Sequence, residues 1–296
     1  MANLKELRNR IKSVSSTMQI TSAMKMVSAA KLSKAQDAIQ SMRPYSEKLT
    51  ELLQSLSASL DVDQASPFST ERAVNNVLIV SISSNRGLAG AFNTNIIKAS
   101  KALANETYAG KKVDFLTLGK KADDIISKEN TIIENNNGIF DDLTFDNSAL
   151  LAEKLMDFYL NGTYDKIVLV YNQFINAATQ KVAREQFLPL VQSEGNTQDA
   201  SSEYIFEPSK EEIIGQLIPK SLKVQFYKAL RDSFASEHGA RMTAMHKATD
   251  NATDLRDSLK LSYNKARQAA ITNEILEIVG GAEALNNYYV SFIINL

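Results

Sequence analysis

Residues 4–56 and 230–280 each carry a heptad-like apolar stripe, and a compact middle lies between them. In the first stretch one row runs Leu4, Ile11, Met18, Lys25, Leu32, Ile39 and the other Leu7, Val14, Thr21, Ser28, Ala35, Met42, Leu49. This is the 3.5-residue repeat of a left-handed supercoil. In the last stretch the seam reads Leu230, Phe234, His238, Arg241, Met245, Ala248, Ala252, Leu255, Leu259, Ser262, Ala266, Ala269, Asn273, Leu276. Its Ala and Ser residues let two backbones approach closely. At about 1.5 Å rise per residue, fifty helical residues reach roughly 75 Å, longer than an ordinary domain is wide. The two stretches are therefore expected to form one antiparallel two-helix coiled coil, a strut or shaft, with an inserted middle.

The first helix is expected from about Asn3, an N-cap with Glu6 three positions on, to about Leu60. Pro44 lies inside that pattern, removes one backbone hydrogen bond and predicts a bend or break near residues 42–45. A turn-rich link with Pro67 covers residues 61–76. From Asn76 short apolar runs alternate with helical segments. Strands are expected at 77–83, 112–118, 131–135 and 165–172, and helices at 92–104, 120–127 and 147–160, the last opened by Asn147 and Ser148. Residues 179–191 should pair antiparallel at an edge, because Pro189 is unwelcome in a central strand. Strands alternating with helices imply a mostly parallel sheet covered on both faces, a Rossmann-like α/β unit. After a polar segment and YIFEP at 204–208, helix resumes at about Ser209 and runs to about Leu285, with Pro219 a point of interruption. The domain reading is thus 1–60 coiled-coil helix, 76–192 α/β domain, 209–286 coiled-coil helix pairing with 1–60, and 287–296 tail.

Composition narrows the function. The 296 residues are 44% hydrophobic, enough for a real core, and five Pro with eleven Gly favour long regular elements. The formal net charge of -1 argues against a nucleic-acid binder. That sum hides an asymmetry, since residues 1–36 hold one acid, Glu6, against Lys5, Arg8, Arg10, Lys12, Lys25, Lys31 and Lys34. This basic rod either pairs with Asp250, Asp254, Asp257, Glu274 and Glu277 of the second helix or meets a separate anionic partner. With no Cys the chain has no disulfide framework, thiolate metal site or cysteine nucleophile. No apolar run approaches the ~20 residues of a membrane span, and the start lacks a signal-peptide core, so a soluble chain is expected.

Candidate chemistry is sparse. The loop SSNRGLAGAFN, residues 83–93, follows a strand and precedes a helix, where phosphate is often cradled, but it lacks the spacing of both glycine-rich phosphate fingerprints. A turn in which Gly87 and Gly90 permit close helix-to-strand packing is the favoured reading. His238 and His246 diverge by roughly 80° at about 100° per residue, too far for one metal site, and a neighbouring Glu237 adds little. The carboxylate pairs Asp123–Asp124 and Asp141–Asp142 read as solvated charges. No catalytic constellation and no cofactor site is expected.

QITSAMKMVSAAKL, residues 19–32, is different. Projected on a helix, Met24, Leu32, Ala29, Met26, Ala30, Ala23 and Val27 go all the way round. A helix apolar on every side needs cover on every side, yet one partner helix covers a single stripe, which implies a surrounding protein sleeve. The competing reading is an exposed, weakly patterned stretch in which Ala scores as apolar at little cost.

That segment, together with SSNRGLAGAFN, FASEHGARMTAMHKATDNA (234–252) and ARQAAITNEILEIVGGA (266–282), resembles the gamma subunit of F-type ATP synthase. The motifs stand in the expected order and, with the coil–insert–coil plan, cover essentially the whole chain. The middle is the least matched part, the tail NNYYVSFIINL extends past where many relatives stop, and the cysteine pair of the chloroplast redox switch is absent.

The resemblance implies a non-catalytic rotor shaft standing inside three alpha and three beta subunits, one copy per complex. The α/β domain would sit on the membrane c-ring of Fo beside the epsilon subunit. It also implies a peripheral location on the cytoplasmic face of a bacterial inner membrane. By motif, Met24 falls at the bearing contact with beta, Glu237 and Arg241 in the matching region of the second helix, and Arg267, Gln268 and Thr272 at the catch that engages a beta-subunit loop. Tyr204 and Glu207 are placed at the foot. Two other classes stay open: a self-associating coiled-coil scaffold, and a nucleotide-using α/β enzyme with helical arms.

Overall fold

In a computed structural model the described residues are 4–57, 67–70, 72–190 and 210–294. They comprise α1 (Leu4–Ser57), β1 (Asn76–Ile82), α2 (Phe92–Ala102), β2 (Lys112–Leu118), α3 (Lys120–Ile126), β3 (Ile132–Asn135), α4 (Phe145–Leu160), β4 (Lys166–Phe174), β5 (Gln180–Leu188) and α5 (Lys210–Ile294). Two compact units divide them, residues 4–24 with 245–294 and residues 25–244.

The larger unit is built on a five-stranded sheet of order β3-β2-β1-β4-β5. The first four strands run parallel, and β5 pairs antiparallel with β4 at the edge. Pro189 stands one residue beyond β5, so its missing N–H interrupts no ladder bond. β1 is buried over six of its seven residues, as a strand covered on both faces must be. Alternation along it sends Leu78, Val80 and Ile82 to one face, where α4 and the start of α5 supply Leu151, Leu155, Phe226 and Leu230. Val77 and Ile79 face the other way, against Ile96 and Ile97 of α2 and Ile126 of α3. Each such side chain, fully withdrawn from water, contributes about 1.5–3 kcal/mol.

Local chemistry moves some boundaries from the sequence expectation. α2 ends at Ala102 and passes into a π turn at Leu103–Thr107 that keeps Leu103 and Ala104 buried. Thr144, not Asn147, caps α4: its backbone is extended and its hydroxyl accepts the Asn147 N–H at 3.3 Å. Asn147 instead reaches back to the Asp142 carbonyl.

α1 continues through Pro44 without a break. Proline costs a helix about 3 kcal/mol, and here buried Ile39 and Leu49 flank it on the packed face. α5 likewise passes Pro219 and extends to Ile294, beyond the Leu285 that periodicity gives. Within the larger unit, Leu32, Ala35 and Ile39 of α1 form a cluster with Ala235 of α5, against which Phe174, Ala177, Phe234 and Met242 also pack.

In the smaller unit the two helices run side by side and antiparallel. Arg8 donates to the Tyr263 hydroxyl at 3.2 Å, Thr253 and Arg256 each donate to the Met18 sulfur at 3.4 Å, and the Thr21 and Thr249 hydroxyls meet at 2.8 Å. The burial seam on α5 here is Met245, Thr249, Ala252, Arg256, Leu259, Tyr263, Ala266, Ala270. Of the residues the sequence placed on this stretch of the seam, Leu255, Ser262, Ala269, Asn273 and Leu276 are exposed. The reason is that Thr249, Arg256 and Tyr263 score as surface residues, yet their stems and hydroxyls lie against α1. From Ile271 to Glu283 every residue is exposed. Residues 61–66 and 71 of the link fall outside the described residues, as do the polar segment and YIFEP.

Candidate functional site

The all-round apolar segment divides as its projection requires. Thr21, Ser28 and Leu32 are buried, while Ile20 is 60% exposed in the smaller unit and Met26 and Val27 are 64% and 59% exposed in the larger. Met24 is half-buried. The exposed positions are thus branched or long apolar side chains together with Ala23 and Ala30. Arg267, Gln268 and Thr272 are exposed on α5, with Ile271 and Ile275 also open to solvent. Tyr204 and Glu207 lie outside the described residues.

Glu237 and Arg241 are placed differently. Both are buried, at 8% and 7% exposure, and Arg241 spends its guanidinium inside the larger unit. Nη1 donates to Glu237 Oε1 at 2.5 Å, and Nη2 donates to the carbonyls of Arg86 and Gly87 at 3.1 and 3.3 Å. Burial pushes the Glu237 carboxyl above its ordinary value, with Arg241, Lys31 and Arg86 pulling the other way. His238, one residue on, packs edge-on against Phe234 at 4.5 Å between centroids. Burial, then the positive charges of Arg241 and Lys31, lower its pKa to about 3, so the ring is neutral at pH 7. Its Nε2 has no hydrogen-bond partner among the described residues.

The β1–α2 loop that Arg241 grips is tied down at several other points. The Ser84 N–H donates to Asn93 Oδ1 at 3.0 Å, and Asn85 Nδ2 donates to the Asn137 carbonyl at 2.7 Å. The Lys120 N–H donates to Asn85 Oδ1 at 3.1 Å. Leu88 at φ 63° and Gly90 at φ 57° complete the turn. The expectation that Gly87 and Gly90 permit close packing does not hold, because a Cβ at either would have nothing within 4 Å. Gly90 is needed for its positive φ, and Gly87 has neither requirement. The loop presents two carbonyls to a cation, the opposite polarity from a phosphate cradle. Two open clefts, between β3 and α4 and between α2 and β5, are lined by residues outside this loop. Among the described residues no cluster of His, Cys, Asp and Glu could hold a metal ion.

The close approach that sequence reasoning missed is at Gly239. A Cβ there would stand 3.0 Å from the Ala177 carbonyl oxygen and 3.3 Å from its Cα. The available signal was a glycine inside a long helix, where it costs up to about 1 kcal/mol relative to alanine.

The family described as ATP synthase matches residues 3–285. A protein named ATP synthase gamma chain from Christiangramia forsetii is 72% identical over 288 residues, covering 97% of this chain and 100% of its own. One of the same name from Flavobacterium psychrophilum is 67% identical over 285 residues, covering 96% and 99%. Among solved structures, a chain of the Euglena gracilis mitochondrial ATP synthase rotor shares the fold with a TM-score of 0.63 at 22% identity, covering 90% of this chain and 98% of its own. A second, from the OSCP/F1/c-ring assembly of the same organism, gives 0.66 at 21%, covering 95% and 94%. With a family match over nearly its whole length and such identity to full-length relatives, the chain belongs to the ATP synthase gamma-chain family.

Proposed function

We propose that the chain is the central rotor shaft of an F-type ATP synthase, passing torque between a proton-driven c-ring and a catalytic head of three alpha and three beta subunits. The observation that carries this is the exposure of Met26 and Val27, in the larger unit, on a helix whose other side is already buried. Large apolar side chains grouped this way on a helix mark a surface that another protein covers. The family match over residues 3–285 makes an ATP synthase the setting for that partner.

In this reading residues 1–60 and 209–286 form an antiparallel coiled coil, 76–192 form a Rossmann-like domain that meets the c-ring and epsilon, and 287–296 form a C-terminal tail. The shaft makes and breaks no bond. Its two helices present different side chains around the axis, so turning it changes which beta subunit meets which face. Each beta conformation shifts only by the differential contact energy that face supplies. Smooth apolar groups such as Met24 suit a bearing, where contacts must be exchanged at little cost. Arg267, Gln268 and Thr272, exposed and polar, suit a directional catch on a beta loop. Glu237 and Arg241 contribute to the contact zone through the β1–α2 loop they hold. Tyr204 and Glu207 would belong to the foot on the c-ring. Among the described residues no helix is long and apolar enough to cross a membrane. Attachment to the cytoplasmic face of a bacterial inner membrane would then come through the complex.

Co-purification from native membranes tests the reading. One chain per three alpha and three beta subunits is expected. Recovery of the chain as a self-dimer, or free of those subunits, would overturn it.

A further inference from the structure

Torque can pass from the α/β body to α5 only where the two are locked against relative slip, and such a lock is visible at residues 236–243. These two turns of α5 touch the carboxyl edge of the sheet through four residues, two of which meet the same carbonyl. The Ser236 hydroxyl donates to the Asn172 carbonyl at 2.9 Å, near the end of β4. Gly239 lies against the backbone of Ala177, in the turn between β4 and β5. Arg241 donates to the Arg86 and Gly87 carbonyls beyond β1. The Thr243 hydroxyl donates to the same Ala177 carbonyl at 3.2 Å.

Three of these are side-chain bonds to main-chain carbonyls, and the fourth is a backbone contact without side chains. They therefore fix the helix against the frame of the sheet and not against movable rotamers. The receiving turn is itself stiff. Asn176 and Thr179 exchange both backbone hydrogen bonds at 3.2 Å, and Asn176 Oδ1 accepts from the N–H groups of Ala178 and Thr179 at 3.0 and 2.8 Å. Sliding or turning α5 by a fraction of a residue would drive the next Cβ, of Ala240 or His238, toward the Ala177 carbonyl.

We infer that residues 236–243 of α5 and the β4–β5 turn form a keyed joint that transmits torque between the α/β body and α5, with Gly239 as its positioning residue. The inference rests on the proposed rotor function and goes beyond it, because the joint is made of contacts within this chain.

The test uses the assembled, membrane-bound complex carrying Gly239→Ala. The added methyl forces the Ala177 carbonyl to give way by a few tenths of an ångström, so backbone amides of residues 175–179 should exchange about tenfold faster. ATP hydrolysis and assembly should stay at the unsubstituted level, while protons moved per ATP against an imposed gradient fall by about half. Re-tethering the turn should restore the ratio, using Ala177→Cys with Thr243→Cys and a short bis-thiol linker in this otherwise cysteine-free chain. A folding defect would not respond to the linker. If Gly239→Ala does not assemble, Thr243→Val, which removes only the hydroxyl bond to Ala177, takes its place with a smaller loss, and Thr243→Ser, which keeps that hydroxyl, should hold the ratio at the unsubstituted level.

Full coupling in a variant whose turn exchanges faster, or lost coupling that the linker leaves unrepaired, would overturn the joint. An unsubstituted chain that fails to assemble with alpha and beta would instead overturn the rotor reading.

Discussion

Arg241→Met isolates the buried ion pair. The side chains of Arg241 and Glu237 are only 8% and 10% exposed, so water cannot take over the lost contact. Removing one partner of such a pair costs about 3–5 kcal/mol. The carbonyls of Arg86 and Gly87 belong to exposed residues and can be hydrated, which places the expected cost at the lower end, about 3 kcal/mol at pH 7.

A ceiling comes from the carboxyl itself. Left unpaired, Glu237 can take up a proton, and at pH 7 this costs about 1.4 kcal/mol for each unit above its ordinary value of 4.5, roughly 3.4 kcal/mol in all. At pH 5 the same ceiling is below about 1 kcal/mol. The sign follows from linkage. A carboxyl whose pKa is raised on folding binds its proton more tightly in the folded state, so stability falls as pH climbs from 4.5 through the raised value. The variant raises that value further and widens the window.

Amide exchange protection over residues 233–243, corrected for intrinsic rates, should therefore drop roughly a hundredfold at pH 7 and much less at pH 5. Adding Glu237→Gln should return most of it. A loss equal at both pH values, or a double variant as weak as Arg241→Met alone, would refute the argument that the stranded carboxylate sets the cost.

Gly119→Ala should be costly, because Gly119 sits at φ 100° and a Cβ there would stand 2.3 Å from the Ser83 carbonyl oxygen. A loss of about 3 kcal/mol or more should appear as a lowered midpoint in urea unfolding. His238→Phe should remove an acid-sensitive contribution. The native ring, lowered to about 3 from 6.5, lends stability that is full above pH 6.5 and is lost as pH falls toward 3, so the variant's pH profile should be flatter through that window. Met24→Lys should leave the complex assembled while reducing ATP synthesis per proton, since the new ammonium seeks a partner on the surrounding surface. Unchanged coupling in the purified variant would count against the bearing role.

Much of this was legible before any coordinates. Every member of both heptad rows proposed for α1 is buried or half-buried, from Leu4 and Leu7 through Ile39 and Leu49. β2 occupies the expected residues, and the placement of β5 at the edge followed from Pro189 alone. Such features are local: a side-chain period or a missing donor acts within a few residues of where it is written. The exposure of Ile20, Met26 and Val27 was legible for the same reason, since an all-round apolar projection leaves part of itself uncovered by one partner helix. In the candidate site, Arg267, Gln268 and Thr272 are exposed, as is every residue from Ile271 to Glu283, whereas Glu237 and Arg241 are consumed internally, Arg241 at a position the heptad seam had already marked.

Only the tertiary structure decided which of two nearly equivalent stripes on α5 faces α1. Thr249, Arg256 and Tyr263 win over Leu255 and Ser262 because their partners Thr21, Met18 and Arg8 sit more than two hundred positions away in the chain. The same holds for Arg241 reaching the β1–α2 loop and for Gly239 lying on Ala177. Periodicity along one helix fixes how often a side chain returns to a face, but which face is buried depends on what the rest of the chain brings against it.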